Sequence, residues 1–152
     1  MKIILASFIF VLTSLSQIYS QFSIEKFIDE PFNHNISSVQ DSIKKKVIEK
    51  EVMNYKGILY YDWMEPISIK VGYLFEKNGK QNGKVIGNGK DKPEEAKILF
   101  DKLKEILIKK YGSNVSENSM LGLTMLMWKE IDGISIMLTS KEEKTMLTII
   151  KN

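Results

Sequence analysis

Hydrophobic residues recur at helical spacing in one long segment, residues 91–112. At roughly 100° per residue they fall within a sector of about 140°, and they are Ala96, Leu99, Phe100, Leu103, Ile106, Leu107 and Tyr111. Asp91 and Glu94 have the spacing of a capping box, and Gly112 can take the left-handed conformation that ends a helix. The pattern predicts a helix over 91–112 with one buried stripe.

A second apolar repeat begins after Asn35, a good helix cap, and predicts a helix over residues 37–51. Its apolar positions are Ile36, Val39, Ile43 and Val47. Residues 21–33 precede it and contain Pro31, which opposes a helix. We expect this segment to be irregular and to pin the N-terminus to the core.

Strict alternation of apolar and other residues over 67–76 predicts a strand with one buried face. Asn78-Gly79 and Asp132-Gly133 are preferred pairs for tight hairpin turns. Five further strands are predicted, over residues 55–61, 80–89, 124–131, 134–140 and 145–151. A polar loop is expected over 113–118.

The predicted order is helix, three strands, helix, three strands. This order favours an α+β fold of two layers, in which two αβββ units form one antiparallel sheet with both helices on a single face. Residues 21–152 would then be one domain.

The first twenty residues have the pattern of a signal peptide. Lys2 gives a positive start, residues 3–12 are apolar, and Ser20 supplies a small residue for cleavage. The apolar run is too short for a membrane span of ~20 residues. We therefore expect a secreted or periplasmic protein that keeps no integral membrane span.

The charged residues narrow the possible partners. The formal net charge is +3, and every basic residue is lysine. Without arginine, bidentate reading of phosphates and guanines is disfavoured, so no specific nucleic-acid partner is expected. The absence of cysteine excludes disulfides, thiolate nucleophiles and cysteine metal ligands.

The layout resembles that of small exported bacterial proteins of unknown function. The features that carry the resemblance are the entry into the first helix over 32–39, Lys110-Tyr111-Gly112 at the end of the second, and Trp128 before Gly133-Ile134. More distantly it resembles beta-lactamase-inhibitor-like and outer-membrane assembly lipoprotein modules. The resemblance implies a binding module rather than a catalyst, and the missing lipidation cysteine departs from the lipoprotein pattern.

Candidates for catalysis are few. His34 is the single histidine and precedes a helix cap. Asp62 and Glu65 flank an aromatic residue in a bend, which is one pattern of a glycoside-cleaving site, but turn chemistry explains both acids. Methionines crowd the second half and could hold copper(I), although core packing uses methionine more often. We predict no catalytic residue, metal or cofactor, and an unrecognised hydrolase stays the weakest alternative.

A lysine-rich hairpin over residues 77–92 is an alternative binding site. Its glycines and lysines miss the phosphate-loop spacing by one residue, and no helix starts directly after Lys84. The excess of positive charge could still face a small ligand or a polyanion. The residues predicted to bind it are Lys77, Lys80, Lys84 and Lys90.

The main prediction places a binding surface on the sheet face turned away from the helices. A two-residue turn at Asp132-Gly133 pairs Ile131 with Ile134, and continued alternation then puts Trp128 on that open face. The partner would be a protein or an envelope component. The predicted contacts are Leu126, Trp128, Met137, Met146 and Ile150. The alternatives are that residues 113–123 fold over this face, or that it packs against a second copy.

Overall fold

The computed structural model describes residues 21–52 and 55–152, so the predicted signal peptide lies outside the described residues. The described chain forms three helices, α1 (Ile24–Asp29), α2 (Ile36–Ser42) and α3 (Pro93–Tyr111). It also forms eight strands, β1 (Val47–Val52), β2 (Tyr55–Met64), β3 (Ile67–Phe75), β4 (Gln81–Asn88), β5 (Ser116–Met120), β6 (Leu123–Ile131), β7 (Ile134–Lys141) and β8 (Lys144–Lys151). The protein is therefore an α+β protein.

All eight strands belong to one antiparallel sheet in the order β1-β2-β3-β4-β8-β7-β6-β5. Each run of four consecutive strands is a meander, and α3 connects the two runs. The meanders join where β4 pairs with β8, with Ile86 opposite Leu147. The first and last strands of the sheet are β1 and β5.

One face of the sheet carries a continuous row of paired apolar residues, which defines the core face: Val71, Ile86, Leu147, Leu138 and Leu126. All five are fully buried. They share one hydrophobic cluster with buried residues of all three helices, such as Phe27, Val39 and Leu103. Burial of these side chains is the main stabilising contribution to the fold.

The long helix follows its predicted stripe but not its predicted cap. Leu99, Leu103 and Leu107 are fully buried, and Gly112 ends the helix at φ 85°. The N-cap is Lys92, which makes no side-chain cap. The expected capping role of Asp91 is wrong, because its carboxylate lies 3.5 Å from Lys144 instead.

The N-terminal elements differ from the predicted ones. Ser23 accepts a hydrogen bond from the Lys26 amide and starts α1, where an irregular segment was expected. The second helix ends at Ser42, so the prediction over 37–51 is wrong in its second half. Residues 47–52 instead pair with β2 as strand β1, because pairing along a whole strand outweighs local helical spacing.

The strand count also differs from the predicted three per unit, since each meander has four. In the second meander the extra strand is β5, which pairs with β6 through Glu117 opposite Leu126. Residues 116–120 therefore extend the sheet at its edge. The polar loop predicted over 113–118 is wrong from residue 116 onwards, and this strand does not fold over the open face. All five residues of β5 are exposed, and such a polar, exposed segment has no burial signal in the sequence.

Candidate functional site: a groove on the second face of the sheet

The second face of the sheet, here the groove face, is defined by the row that alternates with the core face: Lys70, Gly87, Met146, Thr139 and Met125. It differs from the core face in composition, since this row contains a lysine, a glycine and a threonine. Leu59 and Leu74 are buried on this face but stand outside the core cluster.

A β-bulge decides which residues reach the groove face in β6. Ile131 pairs with Ile134 as the turn predicts, but the next pair along the strands is Trp128 with Ile136. Two residues of β6 therefore stand opposite the single Ser135 of β7. One extra residue in a strand moves each side chain that precedes it in that strand to the opposite face of the sheet. The predicted placement of Leu126 and Trp128 on the open face is wrong for this reason.

Trp128 belongs to the core. Its side chain is 1% exposed, and its indole N–H donates a hydrogen bond of 3.0 Å to the Gly112 carbonyl. This bond ties β6 to the end of α3. A buried indole whose only polar group is satisfied by the backbone is a structural anchor.

The same bulge moves methionines to the groove face. Met127 stands opposite Met137, and Met125 stands opposite Thr139, which also faces Met146. Ile150 lies on the same face of β8. Three predicted contact residues, Met137, Met146 and Ile150, therefore share the groove face, and their role in binding stays a prediction.

A groove of about 650 Å³ lies on this face. Its lining comes from seven neighbouring strands, β1, β2, β3, β4, β8, β7 and β6, and from the loop after β4. The lining residues are Ile48, Lys50, Leu59, Tyr61, Lys70, Val85, Gly87, Asn88, Asp91, Leu123, Thr139, Lys141, Lys144, Thr145 and Met146. In a flat sheet β1 and β6 would be roughly 29 Å apart, at ~4.8 Å per strand. Because both line one groove, this face is concave.

Two glycines of the groove face are covered by neighbouring side chains. A β-carbon at Gly72 would collide with the Leu59 side chain, and one at Gly83 would come within 2.8 Å of the Ile150 side chain. Neighbouring side chains therefore fill the space that glycine leaves. Glycine within a strand can mark a close approach of neighbouring groups, and here it permits the close packing of Leu59 and Ile150.

Positive charge surrounds the groove. Four lysines line it, Lys50, Lys70, Lys141 and Lys144, against the single carboxylate of Asp91. Lys144 lies 3.5 Å from that carboxylate. Lys70 holds its ammonium 5.4 Å from the centre of the Tyr61 ring. The groove therefore combines an apolar floor with an excess of ammonium groups.

Exposed apolar side chains gather at one end of the sheet, near this groove. Tyr61 and Trp63 lie at the end of β2, Met146 near the start of β8, and Met120 and Leu121 at the β5–β6 turn. Antiparallel pairing places these strand ends along the same end of the sheet. Exposed apolar side chains in one region can mark an interaction surface.

The structure separates the lysines of the predicted anion site. Lys77 and Lys80 flank the turn before β4, whereas Lys90 follows its far end. Lys84 is fully buried on the core face, and its ammonium donates to the carbonyls of Phe27, Ile28 and Glu30. Burial lowers the pKa of Lys84 to about 8. Lys84 therefore holds α1 on the sheet and does not face solvent, so its predicted place in an exposed anion site is wrong.

Two of the three candidate catalytic residues, His34 and Asp62, have local structural partners. His34 contacts the Glu30 carboxylate through Nε2 at 2.9 Å, and Tyr73 donates to the same carboxylate at 2.9 Å. Asp62 pairs with Lys45, while Glu65 is exposed in the turn after β2. Within residues 21–52 and 55–152, no group of three or more histidine and acidic side chains is placed to hold a metal.

Comparison with protein-family models, curated proteins and solved structures gives no match for this chain. Among the residues that the structure describes, no helix is both long and apolar enough to cross a bilayer.

Proposed function

We propose that this is an exported, non-catalytic binding protein that takes an envelope component of the producing cell into the groove on the second face of its sheet. The groove itself carries the proposal: it has a volume of about 650 Å³ and a mainly apolar floor. Ligand sites are typically concave, mostly apolar and roughly 300–1,000 Å³ in volume. A protein partner remains the alternative for the exposed apolar end of this face.

The proposal includes the layered arrangement expected from the sequence, with the helices on the core face alone. Two observations support it. The buried side chains of α1, α2 and α3 join the same cluster as the core face. The lining of the groove comes from strands and from Asp91, and includes no residue of a helix. The groove face is thus left to a ligand.

Export is supported by the signal pattern of residues 1–20, and the residues after the predicted cleavage site take part in the fold. The Phe22 amide donates to the Trp63 carbonyl at 3.3 Å, and Ser23 caps α1. The second residue after the predicted cleavage site is thus already bonded to the sheet. Cleavage after Ser20 would leave all the described residues of the domain in place.

Binding of the neutral apolar dye N-phenyl-1-naphthylamine tests the proposal. We expect its fluorescence to rise on binding the purified protein. Met146→Asp should weaken binding at least tenfold, because the bound dye would cover the new carboxylate and remove it from water. Ile98→Asp is the matched control: Ile98 is 38% exposed on α3, and Met146 is 40% exposed.

The control variant should bind the dye as the unchanged protein does. No binding by the unchanged protein would contradict the proposal. Equal loss in the two variants would do so as well, since it would place the dye outside the groove.

A further inference from the structure

We infer that the groove binds a long-chain carboxylate, with its hydrocarbon chain along the floor and its carboxylate among the lysines of the rim. The inference rests on the proposed function and names the class of its ligand. Three features of the groove carry it: its apolar length, the sign of its charge, and the exposed apolar residues at the same end of the sheet.

The floor fits an unbranched hydrocarbon chain. Leu59, Val85 and Met146 come from three strands, and Gly87, which pairs with Met146, has no side chain to fill the space beside it. Lining from seven strands makes the groove long across the sheet. Methionine adapts its shape to an apolar ligand more readily than branched side chains do.

The charge around the floor selects an anion. Lysine at Lys50, Lys70 and Lys141 stands against one lining carboxylate, Asp91, which already has Lys144 beside it. Beside an apolar floor, these charges interact more strongly than they would in open water. A cationic amphiphile of the same length would meet ammonium groups of its own sign.

An extended polyanion fits this site less well than an amphiphile does. The lysines stand around apolar side chains rather than in a continuous row, and lysine binds phosphates only as a point charge. The apolar residues at the same end of the sheet, Trp63, Met120 and Leu121, give an amphiphile an apolar approach to the groove. A long-chain carboxylate uses both parts of the site.

Displacement of bound N-phenyl-1-naphthylamine by three twelve-carbon amphiphiles, each below its micelle concentration, tests the inference. We expect dodecanoate to displace the dye at a concentration at least tenfold lower than dodecyltrimethylammonium, with dodecan-1-ol between them. The double variant Lys70→Gln, Lys141→Gln should remove most of this preference, when each displacement is referred to the dye affinity of the same variant. Asp91→Asn should strengthen dodecanoate binding severalfold, because it removes the only carboxylate of the lining.

The matched control is Lys102→Gln, Lys109→Gln, which removes two exposed charges of α3 and should leave the preference unchanged. If the dye binds in the groove but dodecanoate is no better than the cationic amphiphile, the inference is overturned and the proposed function stands. A preference that survives the groove double variant also overturns it. If the dye does not bind, the proposed function fails and this inference fails with it.

Discussion

Residues of the core face and the groove face alternate along the same strands, yet the two faces differ in what covers them. The core face presents Val71, Ile86 and Leu147 to the helices, all fully buried. The groove face presents Lys70, Gly87 and Met146 at adjacent positions of the same three strands. Side chains of the helices pack against the core face, whereas the groove face carries an open groove of about 650 Å³.

Two lysines, Lys84 on the core face and Lys70 on the groove face, show how position decides the role of a charge. Lys84 on the core face is fully buried and donates to three backbone carbonyls. The hydrogen bonds of its ammonium group are therefore made within the fold. Lys70 on the groove face is half-buried and stacks near Tyr61, so a ligand in the groove can still reach its charge. The same residue type is structural on one face and available on the other.

Among substitutions that distinguish the two faces, the largest loss of stability is expected at Trp128. Trp128→Ala should lower the free energy of unfolding by about 3–5 kcal/mol, because it leaves a large cavity under α3. Denaturant titration monitored by circular dichroism measures this. Trp128→Phe keeps most of the packing but loses the hydrogen bond to Gly112, so it should cost about 1 kcal/mol more than its lost volume explains. A loss below ~1 kcal/mol in the alanine variant would place Trp128 on an open face and restore the register expected from the turn.

A smaller effect is expected from alkaline pH through Lys84. Burial lowers its pKa in the folded state to about 8, from 10.5. The unfolded chain therefore binds more protons between these values, and stability should rise with pH across that window. From pH 8 to 9.5 the gain should be roughly 1–2 kcal/mol, measured as the free energy of unfolding in denaturant.

Two features keep this pH test specific. Burial raises the pKa of Tyr60 and Tyr73, so both contribute a loss of stability only above about pH 10, where tyrosines of the unfolded chain ionise. Lys84→Met should abolish the rise between pH 8 and 9.5. A rise that persists in this variant would show that another group causes it.

The elements that the sequence predicts correctly are those in which one pattern decides the structure. The stripe of α3, the alternation of β3 and the turn at Asp132-Gly133 each reflect a single strong periodic or turn signal. The strand β1 was missed because its residues also fit helical spacing. Only pairing with β2, a contact distant from the local pattern, selects the strand.

The facing of β6 could not be predicted, because it depends on one extra residue. The bulge between Trp128 and Ile131 exchanges the two faces of β6, and no turn residue or proline marks it in the sequence. The lysines of the groove are likewise spread over 95 positions, from Lys50 to Lys144, and only the order of the strands brings them together. Met137, Met146 and Ile150 could be placed because β7 and β8 pair without a shift.

The smallest effect on stability is expected at Met146, and its neighbour Leu147 provides the contrast. The two residues are adjacent in β8 but face opposite sides of the sheet: Met146 is 40% exposed and Leu147 is fully buried. Met146→Asp should change the free energy of unfolding by no more than about 0.5 kcal/mol, because the new carboxylate reaches water and lies on a face with several lysines. Leu147→Ala should cost about 2–5 kcal/mol, because it leaves a cavity in the core cluster. Denaturant titration of both variants gives the difference directly. A loss above ~2 kcal/mol for Met146→Asp would mean that this side chain supports the fold, and its weaker dye binding would then report unfolding rather than a changed groove.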